Sequence, residues 1–156
     1  MQLRTILMSA LAVAGLWACG GTSNATAPAA PAATAPTTSL YDRLGGKDAI
    51  TAVVKDFVEV RVAKDPRISA FFANTDIPAF EAKLVDQICE ATGGPCKYTG
   101  KDMKASHVGM KIKGSDFDAL VEDLVASLDH FKVPAREKAE LLAPLAAMRG
   151  DIVTQP

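Results

Sequence analysis

The sequence predicts an all-α domain from Ser39 onward, and three observations carry that prediction. Apolar residues recur at spacings of three and four, as they do along one face of a helix. Runs of alternating Val, Ile or Thr, the mark of a half-buried strand, are absent. Most glycines and prolines fall between the periodic stretches, where they punctuate helices.

The elements follow in order. A short helix, Leu40 to Leu44, ends at Gly45-Gly46. The second runs from about Lys47 to Ala63, with Ile50, Val53, Val54, Phe57 and Val58 on one face. Asp65-Pro66 opens a short helical turn that ends at Phe71-Phe72. Asp76 caps a helix with Pro78 in its first turn, running to Thr92 and stopped by Gly93-Gly94-Pro95. Cys96 to Ser106 reads as a loop and then a short helical piece. Ser115 caps a long helix to about Phe131. Pro134 begins the last helix, which runs to about Val153 with a kink at Pro144. This is one domain of six or seven helices, two of them very short, without a repeat.

A length of 156 residues suits one ordinary domain. At 49% hydrophobic and 22% charged the chain is no disordered polymer, and a net charge of −1 excludes a strongly basic nucleic-acid binder. The charge is unevenly placed. Residues 1–38 hold one charged side chain, Arg4; the other 118 carry 16 of the 17 bases and all 18 acids.

The first segment reads as an address. A cationic start leads into an apolar run from Ile6 to Ala18, broken only by Ser9. About 13 residues are too few to span a bilayer, which takes roughly 20, but they match the hydrophobic region of a secretory signal. The run closes on Leu16-Trp17-Ala18-Cys19-Gly20. That resembles a bacterial lipobox, in which the Cys becomes the lipid-bearing first residue. Ordinary cleavage after Ala18, with Cys19 incidental, is the plain alternative. Residues 20–38 are almost all Gly, Ala, Thr, Pro and Ser, a composition that behaves as a spacer. A lipid-anchored domain needs such a spacer to clear the membrane, so lipidation of Cys19 is the favoured reading. The chain divides into a signal (1–19), a tether (20–38) and a domain (39–156), expected on the periplasmic side of the cell envelope. Gly20, not Asp, after the Cys suits the outer membrane of a Gram-negative host.

Two histidines are present. His130 lies beside Asp129 near a helix end, where an imidazole is favourable against the dipole, and a structural role accounts for it. His107 follows the short helical piece and precedes Gly109. There is no HExxH and no His/Cys cluster for zinc, and no CxxCH for covalent haem. The helix from 76 to 92 gives His107 its context. Phe80, Leu84, Gln87 and Ile88 share one face of it, with Gln87 the one polar group. Phe71, Phe72 and Met103 add more apolar wall than a thin core requires. One imidazole facing an apolar slot is the arrangement that holds haem iron, although core packing alone explains such a stripe equally well.

Cys89 and Cys96 remain. On a continuous helix their α-carbons would lie about 10 Å apart, too far to bridge. The break at Gly93-Gly94-Pro95 lets the chain turn Cys96 back, and export favours a disulfide over two free buried thiols. A bridge would tie the end of the 76–92 helix to the loop leading toward His107.

Ser39-Leu40-Tyr41-Asp42-Arg43-Leu44-Gly45-Gly46 resembles the opening of a group 1 truncated haemoglobin. So do Phe71-Phe72, Gly93-Gly94-Pro95, Tyr98-Thr99-Gly100 and Asp102-Met103-Lys104, followed by His107 and Gly109, in family order from about Ser39 to Val153. The resemblance implies a truncated globin-like two-over-two helical sandwich around non-covalent haem b and its iron. It implies that His107 is the proximal iron ligand and Phe72 the aromatic packed on the haem. Phe80 and Leu84 then belong to the distal wall, Gln87 lies deeper along the same helix, and Met103 is on the proximal side.

The sequence departs from that family at the distal wall. Many relatives carry Asp-Phe-Tyr on the second helix, the tyrosine donating to iron-bound oxygen. Here the run is Asp56-Phe57-Val58, and the stretch from Glu59 to Phe71 is one residue longer, so either Val58 or Glu59 takes the site. Leu84 stands where many relatives have glutamine. Gln87 is then the nearest replacement donor, or else a partly exposed helix residue. A donor stabilises bound O2 by about 1–3 kcal/mol, and its loss speeds release roughly ten- to a hundredfold.

The implied function is reversible binding of O2 or another diatomic gas, NO or CO. NO dioxygenation ranks second, because it needs an electron donor and the reductant is unknown. The alternative is a haem redox or gas-sensing module that passes electrons or a signal to a membrane partner; a haem-free helical interaction protein is a third reading. No large charge block or basic stripe is visible, so nucleic acid is not an expected partner, and membrane contact is expected through the lipid.

Overall fold

The computed structural model describes residues 38–155. The signal segment, Cys19 and nearly all of the tether lie outside the described residues. The described residues are helical, with no strand among them.

Ser39 opens α1 (Leu40–Arg43) by accepting the Asp42 N–H on its hydroxyl at 3.1 Å. Gly45 turns the chain into α2 (Gly46–Lys55) at φ +93°, a conformation side-chain-bearing residues rarely adopt. Regular α-helix does not continue to Ala63. Asp56–Arg61 is a π-helical turn and Val62–Lys64 a 3-10 turn. A π turn holds one residue more than the α turn it replaces, so the longer stretch noted in the sequence is absorbed inside the helix. Phe57, Val58 and Val62 face the core, and Glu59 and Val60 face solvent.

A buried polar knot secures the π turn against α5. The Asp56 carboxylate accepts from Ser127 Oγ at 2.7 Å and from Arg61 Nε at 3.0 Å. Burial pushes the Asp56 carboxyl up, but the Ser127 hydroxyl and the Arg61 guanidinium outweigh it and hold the group below its usual range. A depressed carboxyl stabilises the fold above its unfolded value, and that stabilisation is lost as pH falls through the lower folded value. Asp56→Asn is therefore expected to cost about 1–3 kcal/mol at neutral pH. Urea midpoints should show the gap to the parent closing below about pH 4.

A 3-10 turn (Ser69–Phe72) leads to α3 (Ile77–Ala91), capped by Asp76, whose carboxylate accepts the Ala79 N–H at 3.1 Å. Gly94, just beyond α3, permits a close approach: a Cβ there would sit 2.5 Å from the Tyr41 ring and 2.6 Å from Cys89 Sγ. Asp102 caps α4 (Met103–His107) through the Ala105 N–H at 2.7 Å. α5 (Gly114–His130) starts one residue before Ser115, the expected cap. Lys113 occupies the cap position, and Asp116 reaches back to accept its N–H at 2.9 Å. The expected final helix is two: α6 (Ala135–Ala147) and α7 (Arg149–Ile152). Pro144 has no N–H for the Glu140 carbonyl, and the break follows one turn later at Met148.

α2 packs on α3, the π turn on α5, α1 against α2 and α6, and α4 against α7. Val54, Val58, Val62, Ile68 and Leu128 form the driest part of the core, and Leu141 and Leu145 of α6 pack against it. Burying each such side chain contributes roughly 1.5–3 kcal/mol. The result is a two-over-two sandwich, α2 and α3 over α5 and α6. A second small core, Ile112, Phe117 and Ile152, holds α7 and the carboxyl end against the start of α5. Thr154 fastens it by accepting the Ile112 N–H at 3.0 Å.

Candidate haem site

The two layers do not close completely. Between α3, α4 and the start of α5 lies an apolar cavity of about 730 Å³. That is within the range of small-molecule and cofactor sites, roughly 300–1,000 Å³. Phe72 and Phe80 line it with ring centroids 5.4 Å apart, and Phe57, Leu84, Ile88 and Met110 are among the other apolar walls. Every expected cofactor-contact residue reaches this cavity: Phe72, Phe80, Leu84, Met103 and His107.

His107 is prepared to act as a ligand. Its Nδ1 lies 2.6 Å from the Met103 carbonyl oxygen, one turn back on α4. A carbonyl only accepts, so Nδ1 is the donor, and in the neutral imidazole that tautomer leaves the lone pair on Nε2. That is how a metal-binding imidazole is oriented and made more basic. Among the described residues Nε2 has no hydrogen-bond partner. A wide apolar slot with one unengaged imidazole nitrogen fits haem. Lys83 and Lys101, which also line the cavity, are the cations its carboxylates would meet.

The distal expectations need correction. Glu59 is exposed and pairs with Lys55 at 2.5 Å on the outer surface of α2. Val58 is buried in the core and does not line the cavity. The π turn is the reason: the additional residue shifts the side-chain register, and Phe57 takes the place on the cavity wall. Gln87 does line the cavity, but its amide donates to Met103 Sδ at 3.5 Å, across from α3 to the α4 side. It is engaged there instead of standing free on the distal wall.

Cys89 and Cys96 are joined by a disulfide, with α-carbons 5.7 Å apart. It pins the last turn of α3 to the loop before α4. Glu90 continues the attachment by accepting the Tyr98 N–H at 3.0 Å and pairing with Lys97 at 3.2 Å. The Tyr98 N–H, then the Lys97 ammonium, hold the Glu90 carboxyl below its usual range. Tyr98 and Lys101 of this loop line the cavity, so the attachment shapes its wall. Sequence reasoning missed Phe57, which read as an ordinary core position. It also missed Tyr98, Lys83 and Lys101, which lack any periodic signal.

Fold and site together define a small globin: a helical sandwich enclosing an apolar slot with one histidine on its wall. The bacterial-like globin family model matches residues 39–154, and the chain belongs to that family. It is 36% identical to the group 1 truncated haemoglobin of Mycolicibacterium paratuberculosis, over 74% of this chain and 85% of that one. It is 37% identical to that of Synechocystis, over 72% and 90%. Among solved structures, the Fe(III) form of truncated haemoglobin from Tetrahymena pyriformis superposes with a TM-score of 0.70 at 33% identity, covering 74% of this chain and 98% of the other. Haem with its iron is the cofactor of this globin family, and the family's chemistry is haem-based gas binding.

Proposed function

We propose that the domain is an exported haem protein that binds O2 or another diatomic gas reversibly and releases O2 quickly. The observation that carries the reading is the His107 Nε2, unengaged at an apolar cavity, with Gln87, the one amide on the facing part of α3, engaged by Met103. Haem, when bound, would supply an iron able to take a diatomic gas, and His107 would be the residue that holds it. The chain does the rest. His107 holds the iron, with the Met103 carbonyl fixing its tautomer. Phe72 and Phe80 clamp the macrocycle and exclude water. Phe57 and Leu84 offer the gas an apolar wall, which stabilises a polarised ligand such as O2 less than it does CO or NO.

The address segment supports a place in the cell envelope. Residues 1–19 serve as a lipoprotein signal, Cys19 carries the lipid, and 20–38 hold the domain (39–156) clear of the membrane on the periplasmic side. In a Gram-negative host the absence of Asp after Cys19 favours the outer membrane. NO detoxification is a secondary activity of the same site, limited by the supply of electrons.

Adding O2, CO and NO in turn to the reduced protein tests the reading against a haem redox module. Three distinct ligand spectra are expected, with O2 exchanging rapidly. A six-coordinate, gas-inert iron would exclude the gas-binding function.

A further inference from the structure

The net charge of −1 conceals a polarised domain. From Lys97 to Lys113 the chain carries five lysines and one acid, Asp102, a balance of +4 in 17 residues. The rest of 39–156 carries 11 bases and 17 acids, a balance of −6. The sequence shows no stripe because the lysines are irregularly spaced and distant acids cancel them. The lysines lie along one continuous stretch, loop–α4–loop, which supplies Tyr98, Lys101, Met103, Ala105 and Ser106 to the cavity wall.

All five lysines are exposed. Lys97 pairs with Glu90, whereas Lys101, Lys104, Lys111 and Lys113 make no ion pair among the described residues. Asp102 is occupied in capping α4. Of the acids on the elements beside the strip, Asp118 pairs with Arg149 and Asp116 receives the Lys113 N–H, leaving Asp151 on α7. Lys101 lines the cavity and is available to the haem carboxylates; Lys104, Lys111 and Lys113 do not line it. Val108, next to His107, is 71% exposed and gives the strip an apolar centre. The wall is also thin here: Ala105 and Ser106 line the cavity and are exposed to solvent as well.

We propose that this strip is the docking face for an acidic electron-transfer protein that keeps the iron ferrous. The proposal rests on the haem reading above and supplies the class of reductant that reading leaves open. Four unpaired cations in water do little for stability, but together they raise the encounter rate with an acidic partner and orient it. A basic rim around a small apolar centre suits a transient complex of modest area. An anionic membrane is the less favoured occupant, since α4 has five residues and the strip exposes one large apolar side chain, too little to insert. The step is a single electron. The donor's centre is oxidised and the ferric iron held by His107 is reduced, with no bond made and no proton required.

A reduced plant-type [2Fe–2S] ferredoxin, an acidic one-electron donor, serves as the probe for the ferric full-length protein in stopped flow. The bimolecular rate should fall roughly tenfold between about 20 and about 300 mM salt. K104E/K111E/K113E should lower it roughly tenfold at low salt, with the Soret spectrum and urea midpoint unchanged, while K132E should not. A rate indifferent to salt and to the triple variant would overturn the proposal. So would loss of binding to phosphatidylglycerol vesicles in the triple variant with ferredoxin reduction intact, since the strip would then be a membrane contact. Absence of a Soret band would defeat the haem reading separately. NMR titration of the chain with ferredoxin would still test the face, expecting shifts confined to residues 97–113 and overturned by their absence.

Discussion

Leu84→Gln is expected to slow O2 release from the ferrous protein by about ten- to a hundredfold. The residue lines the cavity on α3, one turn beyond Phe80, and offers no donor. Bound O2 carries partial negative charge, and an amide N–H toward it is worth about 1–3 kcal/mol, the range for hydrogen bonds to charged groups. Neither of the expected donors, Glu59 or Gln87, stands free to supply that bond. The π turn carries Glu59 to the surface and leaves Phe57 on the wall, and Gln87 is engaged with Met103. CO, being less polar, should change far less, so the ratio of O2 to CO affinities should rise. Stopped-flow displacement of O2 by CO measures both. An unchanged off-rate would mean that some donor already reaches the bound gas.

Removing the disulfide is the second large effect. Cys89→Ser with Cys96→Ser should lower stability by about 2–3 kcal/mol, from the entropy returned to the unfolded chain when a short loop is opened. The bond closes a separation of seven residues, so the effect falls at the modest end for disulfides. The loss should appear in the urea midpoint. A change within about 0.5 kcal/mol would show that Glu90 and the Gly94 approach hold the loop without it.

Most of the architecture was legible because it rests on local chemistry. Ser39, Asp76 and Asp102 cap helices where their side chains reach backbone N–H groups, and the Gly93-Gly94-Pro95 break falls where α3 ends. The expected helix from Pro134 to about Val153 failed near its end, since Pro144 predicts a defect but not how many residues later the chain gives way. Ser115 was misjudged as a cap because the helix already begins at Gly114, with Asp116 reaching back to the Lys113 N–H.

The site divides in the same manner. His107, Phe72, Phe80, Leu84 and Met103, which the family resemblance brings together, do line one cavity. The position of the distal donor was not legible. Val58 and Glu59 were the candidates because of the Asp-Phe-Tyr run of the relatives and one additional residue, and such a comparison does not fix side-chain direction through a segment that is π-helical. The basic strip was hidden for a different reason. Charge balance is a property of surfaces, and a domain total of −2 averages a +4 wall with a −6 remainder.

The central claim, that this cavity holds haem on His107, is tested most directly by titrating the full chain with haemin and following the Soret band. The account predicts saturation at one haem per chain. His107→Gly should lose the five-coordinate ferrous spectrum and regain it when free imidazole fills the vacated space. No Soret band in the parent, or a variant whose ferrous spectrum matches the parent without imidazole, would contradict the claim.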